Sequence, residues 1–203
     1  MILTLIGYRA TGKSTLAQPL AERLGWSWID ADVELERRAG RTIREIFDTD
    51  GEAEFRRRER ETLVDLLSQN RLVIAAGGGA VLNTDTRQNF KDAGPVVWLK
   101  ASVDTIEQRL YGDATTAERR PNLTSTGGRD EIERLLSERE PIYFHTATLT
   151  IQTDEPFPGQ ADIPTIDQLV DHVVAALRET LDAASGIGQE QSSDKAPEDS
   201  SCL

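Results

Sequence analysis

Cysteine is almost missing from this chain: among 203 residues the only one is Cys202. A single thiol cannot close an intrachain disulfide, which suits a reducing cytoplasm. Long apolar runs are missing as well. The opening run Met1–Ile6 is too short for a signal peptide or a membrane span, and no later run is long enough. Positive charge is in short supply, with 23 Lys and Arg against 35 Asp and Glu and a net charge of −12. That balance excludes general binding to nucleic acid or to an anionic membrane. Residues 184–203 hold four acids against Lys195, a net −3, which leaves −9 on the body. There is no internal repeat. There is also no N-K-x-D motif, which a guanine-reading switch would carry.

What the chain does have is the stretch Gly7-Tyr8-Arg9-Ala10-Thr11-Gly12-Lys13-Ser14-Thr15. It fits the phosphate-cradling pattern G-x-x-x-x-G-K-[ST]. A triphosphate needs many N–H donors converging on a small anion, and Gly7 and Gly12 let the backbone wrap that closely. The helix that follows adds its positive end. Lys13 brings a cation to the β- and γ-phosphates, and Ser14 offers a hydroxyl to Mg²⁺. The context fits: the apolar run Met1–Ile6 reads as a buried strand, and Leu16, Leu20 and Leu24 recur on one helical face. Pro19 lies off that face and predicts a local kink.

The second strand, Trp26–Ile29, ends at Asp30-Ala31-Asp32. In an open parallel sheet the carboxyl ends of strands line the ligand crevice, so both aspartates belong beside the phosphate loop. One can hold Mg²⁺ through water and the other can accept a substrate hydroxyl's proton. Helix capping by Asp32 is the competing role. Thr42 and Glu45 are spaced as a capping box for a short helix. A longer helix follows from about Glu52 to Ser68, with Phe55, Leu63, Leu66 and Leu67 inward. Arg56 and Glu59 project onto that face, either as a structural pair or as an arginine held ready for an anionic substrate.

Leu72–Ala76 reads as the third strand, followed by Gly77-Gly78-Gly79. Three glycines bring backbone N–H groups close to a ligand, or simply make a strand–helix turn with Asn83 or Thr84 capping the next helix. This strand lacks the acidic end that many ATPases carry. Pro95–Lys100 is the fourth strand. The segment of about 111–128 is poor in apolar residues and contains Arg119-Arg120-Pro121, the composition of a lid. The helix Arg129–Glu140 carries Arg139 in the middle of its apolar face, and Pro141 ends or kinks it. His145 and His172 read as packing or surface residues. Thr148–Ile151 is the fifth strand, and a last helix starts at Thr165. From about Ala184 the composition is that of a disordered acidic tail.

These residues resemble the shikimate kinase family, of the nucleoside-monophosphate-kinase-like P-loop group. The match is carried by Gly7–Thr15, Asp30-Ala31-Asp32, Phe55-Arg56, Gly77-Gly78-Gly79, Arg120-Pro121 and Arg139-x-Pro141-x-Tyr143, in the family's order. The resemblance implies an α/β three-layer P-loop fold over residues 1–183, with a five-stranded parallel sheet of order 2-3-1-4-5 flanked by helices, and a lid loop. It implies transfer of phosphoryl from Mg·ATP to the 3-hydroxyl of shikimate, in aromatic amino-acid biosynthesis in the cytoplasm. The family expectation is a monomer that binds neither nucleic acid nor membrane.

Residue by residue, the resemblance gives Gly7, Ala10, Thr11, Gly12, Lys13, Ser14 and Thr15 to the ATP phosphates, and Ser14 with Asp30 to Mg²⁺. Asp32 binds the ring hydroxyls and takes or orients the transferring proton. Arg56, Arg139 and the backbone of Gly77, Gly78 and Gly79 bind the substrate. Arg120 belongs to the closing lid, so that Lys13, Asp32 and Arg120 form the catalytic set. Arg109 resembles an arginine that stacks on adenine, with a proline partner among Pro156 and Pro158. The lid run Arg120-Pro121-Asn122-Leu123, the pair Phe144-His145 and the acidic tail depart from the family's usual pattern. Two other classes compete: a gluconate-type sugar-acid kinase, and a nucleotide-dependent switch or binding module. Arg56 with Glu59 and Gly77–Gly79 favours shikimate over gluconate.

Overall fold

The computed structural model describes residues 1–112 and 128–185. The lid segment, with Arg120, and the tail beyond Ser185 lie outside the described residues. Five strands, β1 (Ile2–Ile6), β2 (Ser27–Asp30), β3 (Leu72–Ala75), β4 (Val96–Lys100) and β5 (Leu149–Gln152), form one sheet in the order β2-β3-β1-β4-β5. Every pairing is parallel, so the carboxyl ends of all five strands meet at one edge. β1 is buried at all five positions, as its unbroken apolar run requires of a central strand covered on both faces.

The helices are α1 (Lys13–Leu24), α2 (Ala31–Ala39), α3 (Ile43–Leu67), α4 (Thr84–Ala93), α5 (Val103–Gly112), α6 (Gly128–Thr146), α7 (Ile166–Ala176) and α8 (Arg178–Ser185). One face of the sheet packs Leu3, Leu5 and Val73 against Leu16 and Leu20 of α1 and Leu169 and Val173 of α7. The other packs Ile2, Ile74 and Trp98 against Leu63 of α3, Phe90 of α4 and Tyr143 of α6. Leu16 and Leu20 are fully buried, each contributing about 1.5–3 kcal/mol by leaving water. A smaller cluster of Leu35, Ile43, Ile46 and Phe55 ties α2 to α3 beside the site.

Local rules held at most ends. The capping box at Thr42 and Glu45 is present, and Asn83 caps α4. The two helices expected between Thr42 and Ser68 run on as α3, bent where Gly51 takes φ 81° and ψ 174°. Both prolines sit inside helices: α1 continues through Pro19, and α6 continues through Pro141 to Thr146, so Pro141 does not end its helix. The carbonyl that Pro141 leaves without an N–H partner is that of Ser137. Both residues are exposed, so water can satisfy it, while buried Tyr143 and Thr146 hold the last turn in place.

Candidate active site

The loop between β1 and α1 turns on three residues with positive φ: Gly7 at 141°, Ala10 at 62° and Gly12 at 94°. For Ala10 that conformation costs about 1–2 kcal/mol, a strain that survives because the surrounding loop is fixed. A methyl group on Gly7 would sit 2.3 Å from the carbonyl oxygen of Leu99, so only glycine fits against β4 there. The hydroxyl of Thr11 donates to the Tyr8 carbonyl at 2.8 Å. Lys13, only 8% exposed, folds its ammonium back over the loop and donates to the carbonyls of Gly7 (2.9 Å) and Tyr8 (2.8 Å). Amide groups, a helix N-terminus and a loop-bound ammonium thus surround one concave space.

At the end of β2 the two aspartates divide their tasks. Asp30, not Asp32, caps α2: its Oδ1 accepts from the backbone N–H of Asp32 at 2.9 Å and of Val33 at 3.3 Å. Its other oxygen accepts from the hydroxyl of Ser14. Asp32 stands inside the first turn of α2, 8% exposed, with its carboxylate turned to the glycine turn after β3. The capping role considered for Asp32 therefore belongs to Asp30.

Gly77, Gly78 and Gly79 are closely packed by what lies against them. A methyl on Gly77 would sit 2.7 Å from Oε1 of Glu59 and 2.9 Å from Oδ1 of Asp32. One on Gly79 would sit 2.6 Å from Nη1 of Arg56. One on Gly78 would be 3.3 Å from the Gly7 carbonyl oxygen and 3.4 Å from the Arg9 nitrogen. The turn therefore touches the phosphate loop at Gly78 and Asp32, Glu59 and Arg56 at Gly77 and Gly79.

Arg56 donates to Glu59 at 2.7 Å and to Glu52 at 3.3 Å. Burial acts to lower its pKa, but the two carboxylates outweigh burial and raise it, so it is a permanent cation. Arg139, 7% exposed, reaches the same turn from α6, its Nη1 lying 3.5 Å from the Gly78 carbonyl oxygen. The hydroxyl of Tyr143 donates to that oxygen at 2.6 Å. Burial pushes the Tyr143 phenol up to about 12, so it remains a donor.

A cleft of about 960 Å³ runs along the loop and is lined by Ala10–Thr15, Asp30, Asp32 and Arg109, among others. Arg109 lies against the loop and donates to the Ala10 carbonyl at 3.2 Å. Neither Pro156 nor Pro158 lines the cleft; Pro164 does, between Ile163 and Thr165. Arg120 lies outside the described residues. Three residues absent from the sequence assignments also enter the site region: Tyr8, Arg9 and Glu131. Glu131 could have been found, because it precedes Arg139 by two helical turns and shares its face.

A central parallel strand, a phosphate loop and a helix, with an acidic residue and two arginines gathered across a glycine turn, define a P-loop phosphotransferase that acts on a small anionic acceptor. The shikimate kinase family model matches residues 9–178. The shikimate kinase of Rhodopirellula baltica is 40% identical over 187 residues, covering 92% of each chain. That of Thermobifida fusca is 42% identical over 161 residues, 79% of this chain and 90% of its own. Among solved structures, shikimate kinase from Acinetobacter baumannii in complex with shikimate aligns with a TM-score of 0.77 at 33% identity, over 88% of this chain and 93% of that one. This chain belongs to the shikimate kinase family. A gluconokinase from Sinorhizobium meliloti aligns with a TM-score of 0.51 at 12% identity, a likeness of fold alone.

Proposed function

We propose that the chain transfers the γ-phosphoryl group of ATP to the 3-hydroxyl of shikimate, giving shikimate 3-phosphate and ADP, with its residues in the roles set out below. The observation that carries this reading is the turn at Gly77–Gly79, which touches the phosphate loop, the Asp32 carboxylate, Arg56 and Arg139, with Asp32 lining the same cleft as the loop.

Lys13 and the loop amides hold the phosphates and neutralise charge as it spreads over the transferring group. Arg56 and Arg139 hold the carboxylate of shikimate. Asp32 accepts the proton of the 3-hydroxyl, or orients it, as that oxygen bonds to the γ-phosphorus and the bridging bond to ADP breaks. Arg120, from the lid, neutralises phosphate charge, and Arg109 with Pro164 flanks the adenine.

Mg²⁺ fits the oxygens at hand. Ser14 and Asp30 already touch through a hydrogen bond. Among the described residues no three His, Cys, Asp or Glu side chains converge on one point. That suits a cation that keeps several waters and shares phosphate oxygens. Bound there, it would supply charge neutralisation to the β- and γ-phosphates.

Among the described residues no helix is long and apolar enough to cross a membrane. The test is ADP release measured with shikimate, gluconate and no acceptor. Turnover that depends on shikimate is expected. Turnover with gluconate and none with shikimate would refute the assignment.

A further inference from the structure

Arg9 stands within the phosphate loop at a position that the loop pattern leaves open, and its side chain is nearly buried, at 12% exposure. It lines the cleft along the loop together with Lys13 and Ser14, but its hydrogen bond goes to α6. Its Nη2 donates to Oε1 of Glu131 at 3.2 Å, and the Glu131 side chain is fully buried. Glu131 lies in the first turn of α6, two turns before Arg139 on the same helical face.

Tyr8 completes the link. Its ring is 1% exposed. The guanidinium carbon of Arg9 is 5.7 Å from the ring centre, and that of Arg139 is 5.9 Å from it. Both distances fall within cation–π range. Ile132, Leu135 and Leu136 of α6 pack in the same cluster as Tyr8. The phosphate loop is therefore joined to α6 twice, by an ion pair at the helix start and by an aromatic ring under Arg139.

We infer that Arg9, Glu131 and Tyr8 are positioning residues for the acceptor arginine: they hold α6 against the phosphate loop and thereby fix the guanidinium of Arg139 for the substrate carboxylate. The inference rests on the assignment of Arg139 to that carboxylate. Its consequence is unusual for a phosphate-loop residue. Loss of Arg9 weakens the acceptor and spares the nucleotide. An arginine acting directly on the phosphates would do the reverse, raising the ATP KM or lowering kcat.

The experiment is steady-state kinetics on Arg9→Gln, Glu131→Gln, the double variant and Tyr8→Leu, with melting temperatures recorded. Arg9→Gln should raise the shikimate KM about tenfold, leaving the ATP KM and kcat within about twofold. The double variant should cost little more than Glu131→Gln alone, because the Arg9 contact with Glu131 is lost in both. Arg9→Lys, which keeps the cation, should recover most of the shikimate KM. Tyr8→Leu keeps an apolar side chain in the cluster and should also raise the shikimate KM, so the link can be read even if a charge variant folds poorly.

A rise confined to the ATP KM, or a fall in kcat at unchanged shikimate KM, overturns the inference. So does a drop in melting temperature with both KM values unmoved, which is the mark of a purely structural pair. Wild-type enzyme without shikimate-dependent ADP release would overturn the proposed function as well. Wild-type turnover with an unchanged shikimate KM in Arg9→Gln and Tyr8→Leu overturns only this inference.

Discussion

An alanine at Gly79 would bring its methyl to 2.6 Å from Nη1 and 2.7 Å from Nη2 of Arg56. Ordinary contact begins near 3.4 Å, so the guanidinium must retreat by about 0.8 Å. The backbone itself raises no objection: Gly79 has φ −96° and ψ −4°, a region open to alanine. Replacing glycine in such a conformation stabilises a fold by about 0.4–1 kcal/mol through the unfolded chain. The atoms displaced are the far end of a flexible side chain, so the fold absorbs the clash. Function does not, because Arg56 is held at 2.7 Å from Glu59 to meet an anion. A hydrogen bond to a charged group contributes about 1.5–3 kcal/mol, so losing most of one raises the shikimate KM by about 10–100-fold. The ATP KM and the melting temperature should stay near wild type. Coupled ADP-release kinetics and a thermal melt measure all three. A folded Gly79→Ala enzyme with a normal shikimate KM would remove Arg56 from the acceptor site. A rise in the ATP KM alone would assign the turn to the nucleotide.

Asp32→Asn should lower kcat by about 10²–10⁴-fold at unchanged melting temperature, since Asp30 provides the helix cap; a stability loss with normal kcat would refute the proton-accepting role. Arg139→Lys should leave the shikimate KM high, because an ammonium lacks the planar fork that meets a carboxylate; full recovery of KM in that variant would show that charge alone suffices. Glu34 offers a pH test. Hydrogen bonds from Arg37 and then Arg38 hold its carboxyl down at about 2, against an ordinary value of 4.5. A depressed folded pKa gives stability that is present above about pH 4.5 and lost as pH falls through about 2. Arg37 is 71% exposed, so solvent screening makes the contribution small. Urea unfolding of wild type and Glu34→Gln should show a stability gap that closes over that interval, and a gap independent of pH would reject the pairing.

Much of the site was legible because its signals are local. The phosphate loop is a contiguous pattern, and its glycines announce backbone angles that other residues avoid. Arg56, Glu59 and Arg139 betrayed themselves as charges on apolar helical faces, and all three proved to gather at the Gly77–Gly79 turn. What stayed hidden depends on atoms distant in sequence. Asp30 and Asp32 are two residues apart and chemically identical, and only the path of the chain into α2 made one the cap and turned the other to the glycine turn. That Pro164 lines the cleft while Pro156 and Pro158 do not was also hidden, because the length of the connection after β5 cannot be converted into a direction without the sheet. Whether Pro141 ends its helix or leaves it running stayed open, since sequence rules do not register the packing of Tyr143 and Thr146 beyond it.

By itself the sequence determined the parallel α/β class, the order of elements, the family and the chemical types present at the site. Those follow from periodicity, glycine placement and short motifs, which act over one or two turns of chain. Tertiary structure alone decided which groups touch. It placed Gly78 against the donor loop and paired Arg9 with Glu131, 122 residues away. It also set Tyr8 beside both Arg9 and Arg139. Such contacts depend on how the crossover helices land on the sheet, and that is set by the packing of the whole core, beyond the reach of any single stretch of sequence.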